Sequence, residues 1–88
     1  MKPTFLELRH LRTLLALKET GSVSMAAKRV YLTQSALSHQ IKLMEEQFGL
    51  PLFERKSNPL RFTAAGDRLI RLANEILPKV VDAERELA

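Results

Sequence analysis

From Thr33 to Phe48 apolar side chains recur at helical intervals, and a separate polar face runs beside them. Leu37, Ile41, Met44 and Phe48 stand at i, i+4, i+7 and i+11, one stripe of an α-helix. Gln34, Ser35, Ser38, His39 and Lys42 fall on another face, roughly 120° around the helix at 3.6 residues per turn. Thr33 is a good N-cap. No acidic residue lies between Thr33 and Lys42, and Glu45 and Glu46 come only afterwards. Such a helix is suited to placing its amino end against a polyanion, where its free amides add partial positive charge. Ser and Gln can hydrogen-bond base edges, and Lys42 can reach a phosphate. The same pattern also suits the solvated face of an ordinary amphipathic helix, so the neighbouring segments must decide.

Upstream, Thr4 and Glu7 have capping-box spacing ahead of a periodic run, although a start nearer Leu8 fits equally. Leu8, Leu11, Leu14 and Leu15 are the expected buried stripe of a first helix. Gly21 suits the left-handed residue that ends it. Ser24 is the expected cap of a short second helix from Met25 to about Tyr31, in which Ala26 and Ala27 allow close approach of another helix. Leu32 is the turn and Thr33 opens the third helix. Two short helices joined by a tight turn, the second polar on one face, form a helix-turn-helix pattern.

Gly49 ends the third helix and Pro51 prevents its resumption. Two short apolar segments then flank Ser57-Asn58-Pro59, which predicts a small two-stranded hairpin. Arg55, Lys56 and Arg61 make it the most basic stretch of the chain. Directly after a helix-turn-helix, that charge reads as contact with phosphate or a minor groove.

Thr63 caps a last, long helix. Leu69, Ala73, Ile76, Val80, Ala83 and Leu87 alternate spacings of four and three, a heptad seam that Ile70, Leu77 and Val81 widen. The expected partner of that seam is the same helix of a second subunit, with part of the stripe packing on the first helix of its own chain. Pro78 removes one backbone donor and is expected to bend the helix. The chain stops without a capping signal, as a fragment of a longer protein would. Gly66 lies in the first turn of this helix, where glycine costs stability. A close approach to DNA or to the hairpin is the explanation that remains.

A chain of 88 residues makes one thin-cored domain, and its formal charge of +4 favours an anionic partner. It has no cysteine, which removes disulfides, thiolate catalysis and Cys-based metal sites. His10 and His39 lack neighbours at metal-site spacing. Ser38 and His39, being adjacent, point about 100° apart on a helix and cannot act as nucleophile and base. No phosphate-binding glycine loop, signal core or apolar run of the ~20 residues needed to span a bilayer is present. These absences point to a soluble, cytoplasmic protein that is not an enzyme.

Several pieces, in order, carry a family resemblance: Leu8-Arg9-His10-Leu11, Gly21-Ser22-Val23 through Ala26-Ala27, Thr33 through Ile41, Leu52-Phe53-Glu54-Arg55 and Phe62-Thr63-Ala64-Ala65-Gly66. Together they resemble the DNA-binding domain of LysR-type transcriptional regulators. The family's commonest recognition helix carries Pro where this chain has Ser35 and Arg where it has His39. Those departures, with Arg55 through Phe62, resemble the branch that regulates methionine biosynthesis genes.

The resemblance implies a bacterial regulator of mainly α fold. It implies a winged helix-turn-helix over residues 1–62, with a short two-stranded wing, and a linker helix over 63–88. It implies a homodimer through that helix, tetramers in the full-length protein, and an interrupted palindrome of double-stranded DNA as the partner. It places a small-molecule effector, homocysteine in the methionine branch, on a C-terminal domain absent from this chain, and no cofactor here. The expected base contacts are Gln34, Ser35, Ser38 and His39. The expected backbone or minor-groove contacts are Thr33, Lys42, Arg55, Lys56 and Arg61. The expected dimer interface is Leu69, Ala73, Ile76, Leu77, Val80, Ala83 and Leu87. A helical dimerisation module whose basic face binds a protein is the main alternative. RNA binding is a further one, disfavoured because no aromatic pair accompanies the basic face to stack bases.

Overall fold

The computed structural model describes residues 4–54, 57 and 59–88. Four helices and one hairpin follow in the order α1 (Leu8–Thr20), α2 (Val23–Arg29), α3 (Gln34–Phe48), β1 (Phe53–Glu54), β2 (Arg61–Phe62) and α4 (Ala64–Leu87). The fold is mainly α, a winged helix-turn-helix continued by a long helix.

The start of α1 is set by Glu7, which is extended, so Thr4 does not cap it. The Glu7 N–H donates to His10 Nδ1 at 2.9 Å. Burial, and then the neighbouring Arg9 charge, hold the His10 pKa below its usual value, with Glu7 opposing them. A neutral ring is what an accepting nitrogen requires. Keeping Phe5 and Leu6 outside the helix lets them cover the core, and Phe5 meets Phe48 edge-on with ring centroids 4.8 Å apart. Phe48 nevertheless remains partly exposed rather than a buried end of the α3 stripe. Leu8 also departs from expectation. The buried face of α1 runs through Leu11, Leu14 and Leu17, with Leu8 in solvent and Leu15 half-buried.

Gly21 ends α1 at φ 68°, its N–H donating to the Leu17 carbonyl. The chain reverses so sharply there that Ser22, not Ser24, is the first extended residue. Its Oγ accepts from the Met25 N–H at 3.2 Å, so α2 begins at Val23. The helix stops at Arg29, short of Tyr31, because Tyr31 is left-handed at φ 59°. The Leu32 N–H then donates back to the Ala27 carbonyl at 2.9 Å. Ala26 and Ala27 are fully buried between helices, as their size suggested. The core gathers Leu14, Leu17, Leu37, Met44 and Leu52, with α1 lying against both α2 and α4.

The hairpin pairs Phe53 with Phe62 and Glu54 with Arg61, antiparallel. Ser57 Oγ closes it, donating to the Glu54 carbonyl at 2.9 Å and accepting from the Arg61 N–H at 3.0 Å. The Leu60 N–H bonds the Gly21 carbonyl at 3.3 Å, which ties the hairpin to the α1–α2 turn.

The start of α4 explains Gly66. The Thr63 Oγ1 accepts from the Gly66 N–H at 3.2 Å and donates to the Pro51 carbonyl at 2.7 Å. A Cβ at Gly66 would overlap the Leu52 carbonyl oxygen and come within 2.8 Å of Phe62 Cδ1. The close approach is thus to the strand and the hairpin. Farther along, α4 continues through Pro78 without ending.

Gly66→Ala is expected to destabilise the domain despite alanine's higher helix propensity. Alanine would gain about 1 kcal/mol of propensity. Displacing a backbone carbonyl in a packed junction costs more, so a net loss of about 1–3 kcal/mol is expected in urea unfolding. An equally or more stable variant would show that the junction yields freely.

Candidate nucleic-acid interface

The amino end of α3 is held by its cap. Thr33 Oγ1 accepts from the Ala36 N–H at 3.0 Å, which leaves its hydroxyl proton free to donate outward. Gln34, Ser35, Ser38, His39 and Lys42 are all exposed, while Leu37, Ile41 and Met44 bury the other side. The expected polar face therefore exists as one surface, with no acidic side chain in the first turn. Glu45, the first acid of the helix, stands about one turn beyond Lys42. Its Oε2 accepts from the Leu52 N–H at 2.8 Å.

Beside that face a groove of about 280 Å³ separates α3 from the start of α2 and from β1. Val23, Leu37, Ile41 and Phe53 form its apolar side, and Ser38, His39, Lys42 and Glu45 its polar side. The hairpin thus stands next to the polar face, and Arg61 is exposed on β2. Arg55 and Lys56 lie outside the described residues.

Among the seam residues the structure makes a division. Leu69 and Ala73 are buried in this chain's own core, at 8% and 0% exposure. Ile76, Leu77 and Val80 are half-buried, and Ala83 and Leu87 are in solvent. A heptad stripe has the same spacing whether it faces its own core or a partner, so the pattern alone does not separate the two halves.

Sequence reasoning missed Val23 and Phe53 as groove walls, and it missed Tyr31. Glycine at the end of α2 would have announced a left-handed residue, but a tyrosine gives no such signal. Among the described residues, no group of three or more His, Asp or Glu side chains is placed to hold a metal ion. No helix of the described residues is long and apolar enough to cross a membrane.

Residues 8–67 match the family described as bacterial regulatory helix-turn-helix proteins, lysR family. Over all 88 residues the chain is 89% identical to the HTH-type transcriptional regulator MetR of Haemophilus influenzae, covering 28% of that protein. It is 50% identical over 78 residues, 89% of this chain, to MetR of Escherichia coli K12, covering 25% of it. The chain thus spans only about a quarter of the length of these curated relatives. Among solved structures, the complex of the BenM DNA-binding domain with benA site 1 DNA is 35% identical with a TM-score of 0.85, covering 93% of this chain and 92% of that one. The complex of the CbnR DNA-binding domain with DNA is 30% identical with a TM-score of 0.80, covering 92% and 93%.

Thr33→Ala removes the acceptor that holds the Ala36 amide. A loss of about 1 kcal/mol in unfolding free energy is expected. Thr33→Ser should recover most of it, and equal stability of all three proteins would mean that the cap bond contributes nothing.

Proposed function

The chain belongs to the lysR family of bacterial regulatory helix-turn-helix proteins, and from that premise we propose that it binds double-stranded DNA sequence-specifically through α3. In this reading it is the DNA-binding part of a regulator of methionine biosynthesis genes. Its relatives are transcriptional regulators, not enzymes. The observation that carries the reading is the exposed, acid-free face from Gln34 to Lys42, set beside the hairpin. The DNA complexes among its structural neighbours support it.

The physical fit is direct. A helix with side chains is about 10–12 Å across, close to the width of the B-DNA major groove. With its amino end inserted, α3 presents Gln34, Ser35, Ser38 and His39 to base edges. Gln34 can serve adenine in bidentate fashion, and the serines can serve any donor or acceptor. Lys42 and Arg61, with Arg55 and Lys56 of the hairpin connection, meet phosphates or a minor groove. Those contacts set position and affinity, while the base contacts set sequence.

Two copies reading an interrupted palindrome must hold their α3 helices about 34 Å apart, or a multiple of that. The free part of the α4 seam, from Ile76 to Leu87, is the surface that supplies the pairing. Leu69 and Ala73 contribute by anchoring α4 to its own core. Tetramers and binding of a small-molecule effector belong to the rest of the full-length protein.

The test is a titration of the chain with a duplex selected from random DNA and with an unselected duplex, over a range of salt. Binding should weaken with salt by a slope of roughly −0.9 per phosphate neutralised. Ser38→Ala and His39→Ala should each cost about 1–3 kcal/mol on the selected duplex and little on the unselected one. Failure to bind either duplex at any salt concentration would favour a basic face that binds protein.

Ile76→Glu places a charge in the half-buried seam, an unfavourable burial. Sedimentation should show a dimer for the wild-type chain and a monomer for the variant, which keeps weak half-site binding. A wild-type monomer at tens of micromolar with full palindrome affinity would assign dimer formation elsewhere.

A further inference from the structure

A second cleft, of about 380 Å³, lies on the other side of α3 and is rimmed by Arg9, Arg12, Arg29 and Tyr31 over Thr13 and Gln40. Gln40 and Lys42 are about 160° apart on the helix, so this cleft and the hairpin groove flank α3 on opposite sides. Tyr31 and Leu32, which line it, immediately precede the Thr33 cap, so it opens beside the amino end of α3.

Tyr31 is the feature without a structural role here. Its side chain is in solvent, at 95% exposure for the residue, and its backbone is left-handed. Glycine would hold that conformation without strain, so the turn itself does not call for tyrosine. Its hydroxyl can donate a hydrogen bond.

Three arginines line the same cleft. Arg29 pairs with Glu19 and Arg9 with Glu7, each at 3.0 Å. Both pairs are exposed, so water and salt screen them and an incoming phosphate can displace the carboxylate. Arg12 is exposed and has no ion pair or hydrogen bond among the described residues. Inside the cleft, Gln40 Oε1 is buried and has no donor among the described residues. A guanidinium has five N–H donors in a fixed fork, enough for a bidentate phosphate contact with one left for that oxygen.

We propose that Arg12, Arg29 and Tyr31 form a second phosphodiester-binding edge, which grips the DNA backbone at the amino end of α3 on the flank away from the hairpin. This rests on the reading of the chain as a duplex-DNA-binding module. A helix lying in the major groove has a phosphate backbone on each side. Lys42 and the hairpin serve one wall, and this cleft offers cations and a hydroxyl to the other. Because Gln40 follows His39 directly on α3, an arginine ordered by phosphate and bonded to Gln40 also steadies the reading helix.

The test uses the 88-residue chain, fluorescence anisotropy, and the selected and unselected duplexes over a salt series. Arg12→Ala and Arg29→Ala should weaken binding to both duplexes equally and flatten the salt slope by roughly 0.9 for each phosphate left unneutralised. Arg12→Lys and Arg29→Lys should retain the slope. Tyr31→Phe should weaken both duplexes about two- to tenfold with the slope unchanged. Alanine variants with the wild-type slope would overturn the proposal, as would weakening that lysine does not restore, since that reports packing. A wild-type chain without salt-dependent DNA binding would fail the parent reading instead, a result visible before any variant is made.

Discussion

The backbone of Leu52 holds α3, the hairpin and the long helix in one arrangement. Its N–H is held by the Glu45 carboxylate at 2.8 Å and its carbonyl by the Thr63 N–H at 3.0 Å. Its side chain is fully buried, and Gly66 lies against the same carbonyl with no Cβ between. Buried backbone groups must be paired, and an unmet one costs about 1–3 kcal/mol. One residue therefore fixes α3 through Glu45, α4 through Thr63 and the hairpin through its own direction. The position of the hairpin beside the reading face follows from that single junction.

The junction also shapes the electrostatics. Glu45 stands about one turn beyond Lys42, close enough to oppose a polyanion. Its Oε2 accepts from the Leu52 amide, which engages the carboxylate in the fold at the edge of the groove, while the amino half of α3 carries no acidic side chain. Among the described residues the exposed ion pairs Arg9–Glu7 and Arg29–Glu19 lie at α1 and α2 and involve no residue of the hairpin groove. Such exposed pairs contribute about 0–1 kcal/mol each and do little for the fold. Stability comes from the apolar contacts of α1 with α2 and α4, and the charged surface is left to meet ligands.

The long helix changes its surroundings along its length. At 24 residues it extends about 36 Å, longer than its own domain can cover. Its first turns bury Leu69, Ile70 and Ala73 against α1, and its later turns leave Val81 and Leu87 in solvent. The half-buried Ile76, Leu77 and Val80 lie between. A partner seated there would be rigidly coupled to α3 through the same core. That is a mechanical condition for holding two reading helices at a set distance.

Local chemistry determined much of this protein. The caps at Thr33 and Thr63, the left-handed glycines 21 and 49, the hairpin around Ser57 and the polar face of α3 follow from side-chain size, hydrogen-bonding groups and helical period. These are short-range effects, and neighbouring residues suffice to express them. Tertiary structure decided where several segments compete for one role. Ser22 displaced Ser24 as the cap of α2 because the reversal at Gly21 left it extended, and Phe48, at the end of the apolar stripe, meets Phe5 at the surface instead of entering the core. Gly66 had no local reason to be glycine; its reason is a carbonyl fourteen residues away in sequence, at Leu52. The arginines of α1 and α2 line one cleft with Tyr31 only because those helices are packed together. Periodicity states which side chains share a face, but only the folded core determines what each face is packed against.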